Sequence, residues 1–296
     1  MALGSTNEGV WGLSVDLNAT NFVSVSAFTV DATAPPSPTI DSGPSGATSS
    51  TSASFGFSDS ESGVSFRCQL DGGGFGACSS PQGYSGLSQG AHSFQVKARD
   101  AAGNESAAAS RSWTVDTLAP PSPTIDSGPP DPSNSTSASF GFSDSESGVS
   151  FRCQLDGGGF SACSSPQGYS GLSQGSHSFQ VKARDAAGNE SGSASYGWTV
   201  DALAPPSPTI DSGPSDPSNS TSASFSFSDS ESGVSFRCQL DGGAVSACSS
   251  PQGYSGLSQG SHSFQVKARD AAGNESGSAS YGWTVDTQAQ IGRAHV

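Results

Sequence analysis

Cysteine carries the most explicit chemistry in this chain. The six cysteines form pairs at Cys68/Cys78, Cys153/Cys163 and Cys238/Cys248, and each pair repeats the previous one at an interval of 85 residues. Regular pairs without the short C-x-x-C gap of zinc and redox motifs point to disulfides and an oxidising compartment. The second chemical group is hard oxygen. Asp31, Asp59, Glu61, Asp100 and Asn104 form one candidate Ca²⁺ set. Asp116, Asp144, Glu146, Asp185 and Asn189 form the next, and Asp201, Asp229, Glu231, Asp270 and Asn274 the third. Carboxylate and amide oxygens suit calcium when loops bring them together. The same residue types also make turns, so Asp100-Ala-Ala-Gly-Asn104 reads equally as a well-formed hairpin turn. Each copy has one histidine (His92, His177, His262), expected on the surface at the start of a strand. The chain has no H-E-x-x-H pair or phosphate-cradling loop, and no enzyme activity is expected of it.

These groups are positioned by a repeat. Trp113, Trp198 and Trp283 keep the 85-residue step, as do Asp100, Asp185 and Asp270. The chain therefore divides into three copies, 32–116, 117–201 and 202–286. Residues 1–31 read as the last two strands of a preceding domain, with Phe28–Asp31 aligned on Trp113–Asp116 and Val10–Asp16 on Phe94–Asp100. Residues 287–296 are set aside as a non-native or disordered tail, because Ile291–Val296 reads as a sequencing adapter translated in one frame. A fragment of metagenomic kind, cut from a longer secreted protein, is the expectation.

Within a copy the apolar residues alternate. Phe55 and Phe57 share a face, as do Val64, Phe66, Cys68 and Leu70, then Phe94, Val96 and Ala98, then Trp113 and Val115. Period two over short runs broken by Gly, Ser and Pro is the strand signal. With strands at Thr39–Ser42 and near Ser79–Ser85, each copy reaches about seven, the number in an immunoglobulin-like sandwich. The predicted class is all-β: tandem immunoglobulin-like antiparallel sandwiches joined by Pro-rich linkers. Phe66–Cys78 reads as a hairpin turning on Gly73, which sets Cys68 directly opposite Cys78. The B–C loop Ser58–Gly63, the F–G loop Asp100–Glu105 and the entering Asp31 then meet at one pole of each sandwich, where calcium is the one cofactor implied. Linkers such as Ala34-Pro-Pro-Ser-Pro38 favour polyproline geometry and read as semi-rigid spacers.

The string F-R-C-Q-L-D-G-G…C-S-S-P…Y-S-G-L-S-Q-G…H-S-F-Q-V-K-A-R-D-A-A-G-N…W-T-V-D…A-P-P resembles a class of bacterial immunoglobulin-like repeats. The resemblance covers 32–286 and implies tandem domains of a large secreted or surface-anchored, adhesin-like protein. The acidic junctions resemble the linker calcium sites of adhesin extender modules. Composition agrees with an extracellular or cell-surface location: with 26 acidic against 11 basic residues the net charge is −15, which argues against nucleic acid and anionic membranes. No apolar run is long enough to span a bilayer. The expected role is a structural spacer or stalk whose partners are its own neighbouring repeats, with a glycan or host protein met through domains beyond this stretch. The alternative is a repeated carbohydrate- or protein-binding module appended to a secreted enzyme. Tyr84 and Phe75 are the aromatics it would use, although both are expected to pack within the module.

Overall fold

In the computed structural model, residues 8–11 and 28–288 are described, and every regular element among them is a strand. They divide into two compact units. One holds the described residues up to Pro121 with Glu146–Ser150 and Ala183–Gly192; the other holds Ser122–Ser145, Phe151–Lys182 and those from Ser193 onward.

The first unit opens with β1 (Glu8–Trp11) and β2 (Phe28–Asp31), an antiparallel pair with Trp11 opposite Phe28. Because Phe28 corresponds to Trp113, and Trp113 pairs with His92, this register puts Trp11 at the place of His92. The sequence alignment places it at Gln95 instead. Residues 12–27, between the two strands, lie outside the described residues.

The first repeat follows with β3 (Thr39–Ser42), β4 (Gly46–Thr48), β5 (Ala53–Ser58), β6 (Ser65–Leu70), β7 (Gly76–Cys78), β8 (Gln82–Tyr84), β9 (Gly90–Arg99) and β10 (Ala109–Val115). One sheet has the order β3-β5-β8 and the other β4-β10-β9-β6-β7. In the second unit the third repeat shows the same plan: Thr209–Ser212, Ala223–Ser228 and Gln252–Tyr254 in one sheet, and Ser246–Cys248, Ser235–Leu240, Gly260–Arg269 and Ala279–Val285 in the other. The second repeat has the same two sheets. It and the third replace β4 by a single parallel bridge, Ser133 with Val200 and Ser218 with Val285.

Alternation dictates what is buried. Along β9, His92, Phe94, Val96 and Ala98 point inward while Ser93, Gln95 and Lys97 stay partly exposed. Phe55 from the other sheet stacks on Phe94 with ring centroids 4.2 Å apart, and Trp113 tilts against Phe55 at 5.0 Å. Tyr84 packs edge-on against the same two phenylalanines. The core of each repeat is this aromatic cluster closed by Val96, Val115 and Leu87.

The β6–β7 hairpin departs from the sequence expectation. Its turn centres on Asp71 and Gly72, both at positive φ (51° and 72°), with the Gly73 N–H donating to the Leu70 carbonyl at 3.0 Å. Asp-Gly favours this tight turn, and pairing resumes one residue later than a two-residue loop would give, in a register centred on Gly72. Pairing then sets Cys68 opposite Gly76 and Phe66 opposite Cys78, so the two cysteines are diagonal neighbours and not directly opposed. The displacement is two residues, which keeps both side chains on one face, and the Cys68–Cys78 bond forms across a Cα separation of 5.8 Å. Cys153–Cys163 and Cys238–Cys248 repeat it, and all three staple neighbouring strands of a single sheet.

The linkers are also more than spacers. Pro35 and Pro38 are buried while Pro36 and Ser37 are exposed, and Pro205 and Pro208 repeat the pattern. A three-residue spacing presents one edge of a polyproline helix, so each linker lays that edge inward. At the far end, Thr287 and Gln288 are still tied to the third repeat, Thr287 through its N–H and hydroxyl to Gln259 Oε1. The rest of the tail lies outside the described residues.

The disulfide closes a short loop, with a sequence separation of 10. Replacing Cys153 and Cys163 together by Ser is expected to cost the second repeat about 2–3 kcal/mol. Calorimetry of the full chain would then show one transition displaced downward by about 10–20 °C and the others unmoved.

Candidate functional site

Each linker aspartate stands between two loops, and the polar chemistry of the chain concentrates there. In the F–G turn, Asp100 Oδ1 accepts the N–H groups of Gly103 (2.7 Å) and Asn104 (2.9 Å). Its Oδ2 accepts the Asn104 side-chain amide at 2.8 Å. That same amide nitrogen donates to the main-chain carbonyl of Asp31 at 3.0 Å. Both neighbours of the amide are acceptors, which fixes its NH₂ end toward them. The other copies agree: Asn189 joins Asp185 Oδ2 (2.7 Å) to the Asp116 carbonyl (2.8 Å), and Asn274 joins Asp270 Oδ2 (2.8 Å) to the Asp201 carbonyl (2.7 Å).

A second set of bonds holds the linker from the preceding repeat. Gln174 Nε2 donates to Asp201 Oδ1 at 2.6 Å, and its Oε1 accepts the Ala202 N–H at 2.9 Å. Gln89 does the same for Asp116 and Thr117, at 2.7 and 2.8 Å. The Asp201 N–H donates to Ser133 O at 2.8 Å. One linker residue is thus held through its amide and carboxylate by the second repeat and through its carbonyl by the third.

The aspartates at the centre of the F–G turns ionise below the ordinary 3.8. For Asp100 the Asn104 side chain is the main cause, with burial opposing and the turn N–H groups helping. For Asp185 and Asp270 burial is the largest single influence and pushes upward, but the asparagine and turn bonds together outweigh it. A depressed carboxylate contributes stability above its unfolded value and loses it as pH falls through the folded one, so the contribution of these aspartates is present above 3.8 and lost below it.

The proposed calcium ligands are only partly assembled. Asp100, Asn104 and the Asp31 carbonyl meet, as do their counterparts, but through hydrogen bonds. The Asp31 side chain caps the Thr33 N–H (3.0 Å), and Asp59 Oδ1 caps the Glu61 N–H (2.9 Å). Glu61, Glu146 and Glu231 are exposed, and Asp144 and Asp229 are half-buried in the equivalent B–C loops. Among the described residues no group of three or more His, Cys, Asp or Glu could hold a metal ion. Calcium needs oxygen lone pairs, and in this arrangement the Asn104 amide directs its hydrogens to the Asp100 carboxylate and the Asp31 carbonyl.

Two participants were missed by sequence reasoning. Gln89, Gln174 and Gln259 recur in S-Q-G runs that look like plain loop, and only the 85-residue repetition marks them. The histidines are buried and not at the surface, His92 being 7% exposed. Each hydrogen-bonds the aspartate of the hairpin turn, 21 residues away in sequence.

No protein-family model and no curated protein matches the chain. Solved structures similar to it include the FN1–FN3 domains of chicken CNTN1, 10% identical over 86% of this chain and 99% of that one, with a TM-score of 0.40. The fibronectin(III)-like modules of Clostridium thermocellum CbhA are 16% identical over 55% and 94%, TM-score 0.39. A 1.5-MDa bacterial ice-binding adhesin, described for host cell surface retention, is 15% identical over 80% and 91%, TM-score 0.35.

Replacing Asn274 by Ala removes two hydrogen bonds, one to a carboxylate, and is expected to destabilise the third repeat by about 1–2 kcal/mol. Hydrogen exchange should quicken in the turn around Asp270 first. Calcium at these junctions predicts a higher unfolding midpoint in about 1 mM Ca²⁺, where extracellular calcium modules load, than in chelator; equal midpoints would overturn it.

Proposed function

We propose that this chain is a non-catalytic spacer region of an extracellular, adhesin-like bacterial protein. The observation that carries the reading is the doubly held linker: Asp116 is bonded by Gln89 of one repeat and Asn189 of the next, and Asp201 by Gln174 and Asn274. A spacer needs junctions that resist bending more than it needs distinct sites, and the junctions at Asp116 and Asp201 use the same bonds. Three hairpin disulfides support an oxidising, extracellular setting. Among the described residues the large exposed apolar side chains, Val30, Leu118, Leu203 and Val245, are far apart in sequence and form no contiguous run.

The binding-module alternative gains less. A sugar would need a free aromatic face, but Lys97 lies over the Phe75 ring and Lys182 over Phe160, each at 4.7 Å. In the third repeat Val245 replaces the aromatic altogether.

Dyes placed at Ala32 and Gln288 would test the spacer reading by single-molecule energy transfer. One narrow population of low transfer is expected, broadening in the chain carrying N189A and N274A. A broad or high-transfer distribution in the unaltered chain would overturn it.

A further inference from the structure

His92 sits between two acceptors. Its Nδ1 lies 2.7 Å from Asp71 Oδ2 and its Nε2 lies 2.8 Å from the Ser88 carbonyl. The same distances hold His177 between Asp156 and Ser173, and His262 between Asp241 and Ser258. A carbonyl oxygen has no hydrogen to give, and neither has an ionised carboxylate. A neutral imidazole carries one N–H, so one of the two contacts would set lone pair against lone pair in a buried site. Turning the ring over would set C–H carbons against both oxygens.

The carboxylate is the ionised partner. Asp71 Oδ1 accepts the Ser93 N–H at 2.8 Å, and Asp71 is held below 3.8. Burial is the largest single influence on it and opposes the shift; the bonds from His92 and Ser93 and the His92 charge together prevail. The indole of Trp113 stacks on the His92 ring with centroids 5.4 Å apart, a face that favours a cation.

We propose that His92, His177 and His262 are each held as imidazolium ions in the folded repeat, making every repeat a proton-binding unit whose fold is favoured by mild acid. Four elements depend on that charge: the β6–β7 turn through Asp71, the loop before β9 through the Ser88 carbonyl, β9 itself, and β10 through the neutral indole of Trp113. Asp71 is the charged group facing the ring; the other partners are neutral.

The ordinary histidine value of 6.5 is raised here, by the Ser88 carbonyl first and the Asp71 bond next, against burial. A group raised on folding contributes its full stability below the unfolded value and loses it as pH rises through the folded one. Asp71, being lowered, contributes above 3.8 and loses its part only as pH falls below that. The pair therefore works best between about pH 4 and about pH 6.5. Above that window the folding constant of each repeat should fall by up to about tenfold per pH unit, until the folded-state value is passed.

Nitrogen-labelled histidine in the full chain tests this by magnetic resonance. Three imidazoles are expected to carry protons on both nitrogens at about pH 6.5, where a free imidazole is half neutral, and to titrate above it. Asp156 has φ of 49°, a backbone state that Asn also tolerates, so D156N keeps the turn and removes the charge. In that variant the titration midpoint of His177 should fall while those of His92 and His262 stay, the unaltered repeats acting as internal controls. A merely structural histidine would leave all three midpoints together. Neutral rings with a single N–H at about pH 6, or a His177 midpoint unmoved in D156N, overturn the proposal. Should D156N unfold its repeat, the titration of the unaltered chain decides by itself.

Discussion

A thin core is the constraint on which the rest of this structure depends. Each repeat buries about as many residues as two short sheets can face inward, and its largest fully buried side chains are two phenylalanines and two valines. The stack of Phe55 on Phe94, repeated at 4.1 Å in both later copies, joins the sheets face to face. Domains of this size bury a modest share of their surface. Packing on that scale leaves a small margin once chain entropy is set against it. Every other tie in the repeat can be understood as tightening a frame that packing alone holds weakly.

Those ties share one chemical device, an aspartate serving several donors at a point where the chain reverses or leaves the sandwich. Asp100 takes three N–H groups in the F–G turn, Asp71 takes a backbone N–H and an imidazole, and Asp116 takes a glutamine amide and the N–H of Leu118. An ionised acceptor makes stronger hydrogen bonds than a neutral one, and in turns it replaces ladder bonds that no strand provides. A net charge of −15 follows from spending aspartate in this way, which makes the acidity of the chain partly structural.

The β-sandwich class was legible in the sequence because alternation has a fixed period: Phe55 and Phe57, or Phe94, Val96 and Ala98, can face inward together only in a strand. The hairpin was legible too, but its register was not. Asp-Gly favours a tight turn, and the glycines that follow offered an equally plausible later centre until the Asp71 and Gly72 conformations decided it. The junction was legible as a place, but its hydrogen bonds were not. Oxygen-rich residues suggested a cation, and nothing in residue type reveals that Asn104 would turn its nitrogen toward Asp100 and Asp31. The histidine was missed because its partner lies in a different turn and because strand position alone does not give the face when serine flanks it on both sides in two of the copies.

The copies themselves show which ties the frame needs. Repeats two and three differ at exposed or half-exposed positions, such as Thr117/Ala202, Pro130/Ser215 and Gly159/Ala244. The first repeat has drifted further, and its changes are informative. Tyr196 and Tyr281 donate their hydroxyls to Pro129 and Pro214 carbonyls at 2.7 Å; the first repeat has Arg111 there, which donates to the Gly43 carbonyl at 3.0 Å. Asp131 and Asp216 accept the N–H of Thr199 and Thr284; the first repeat lacks that aspartate and pairs Gly46–Thr48 in parallel with Trp113–Val115. In each case the residue changed and a bond between the same two segments remained. Shared ancestry would explain copies that are alike, but it does not explain a lost tie being replaced by a different one. A core too small to hold those segments without polar ties does.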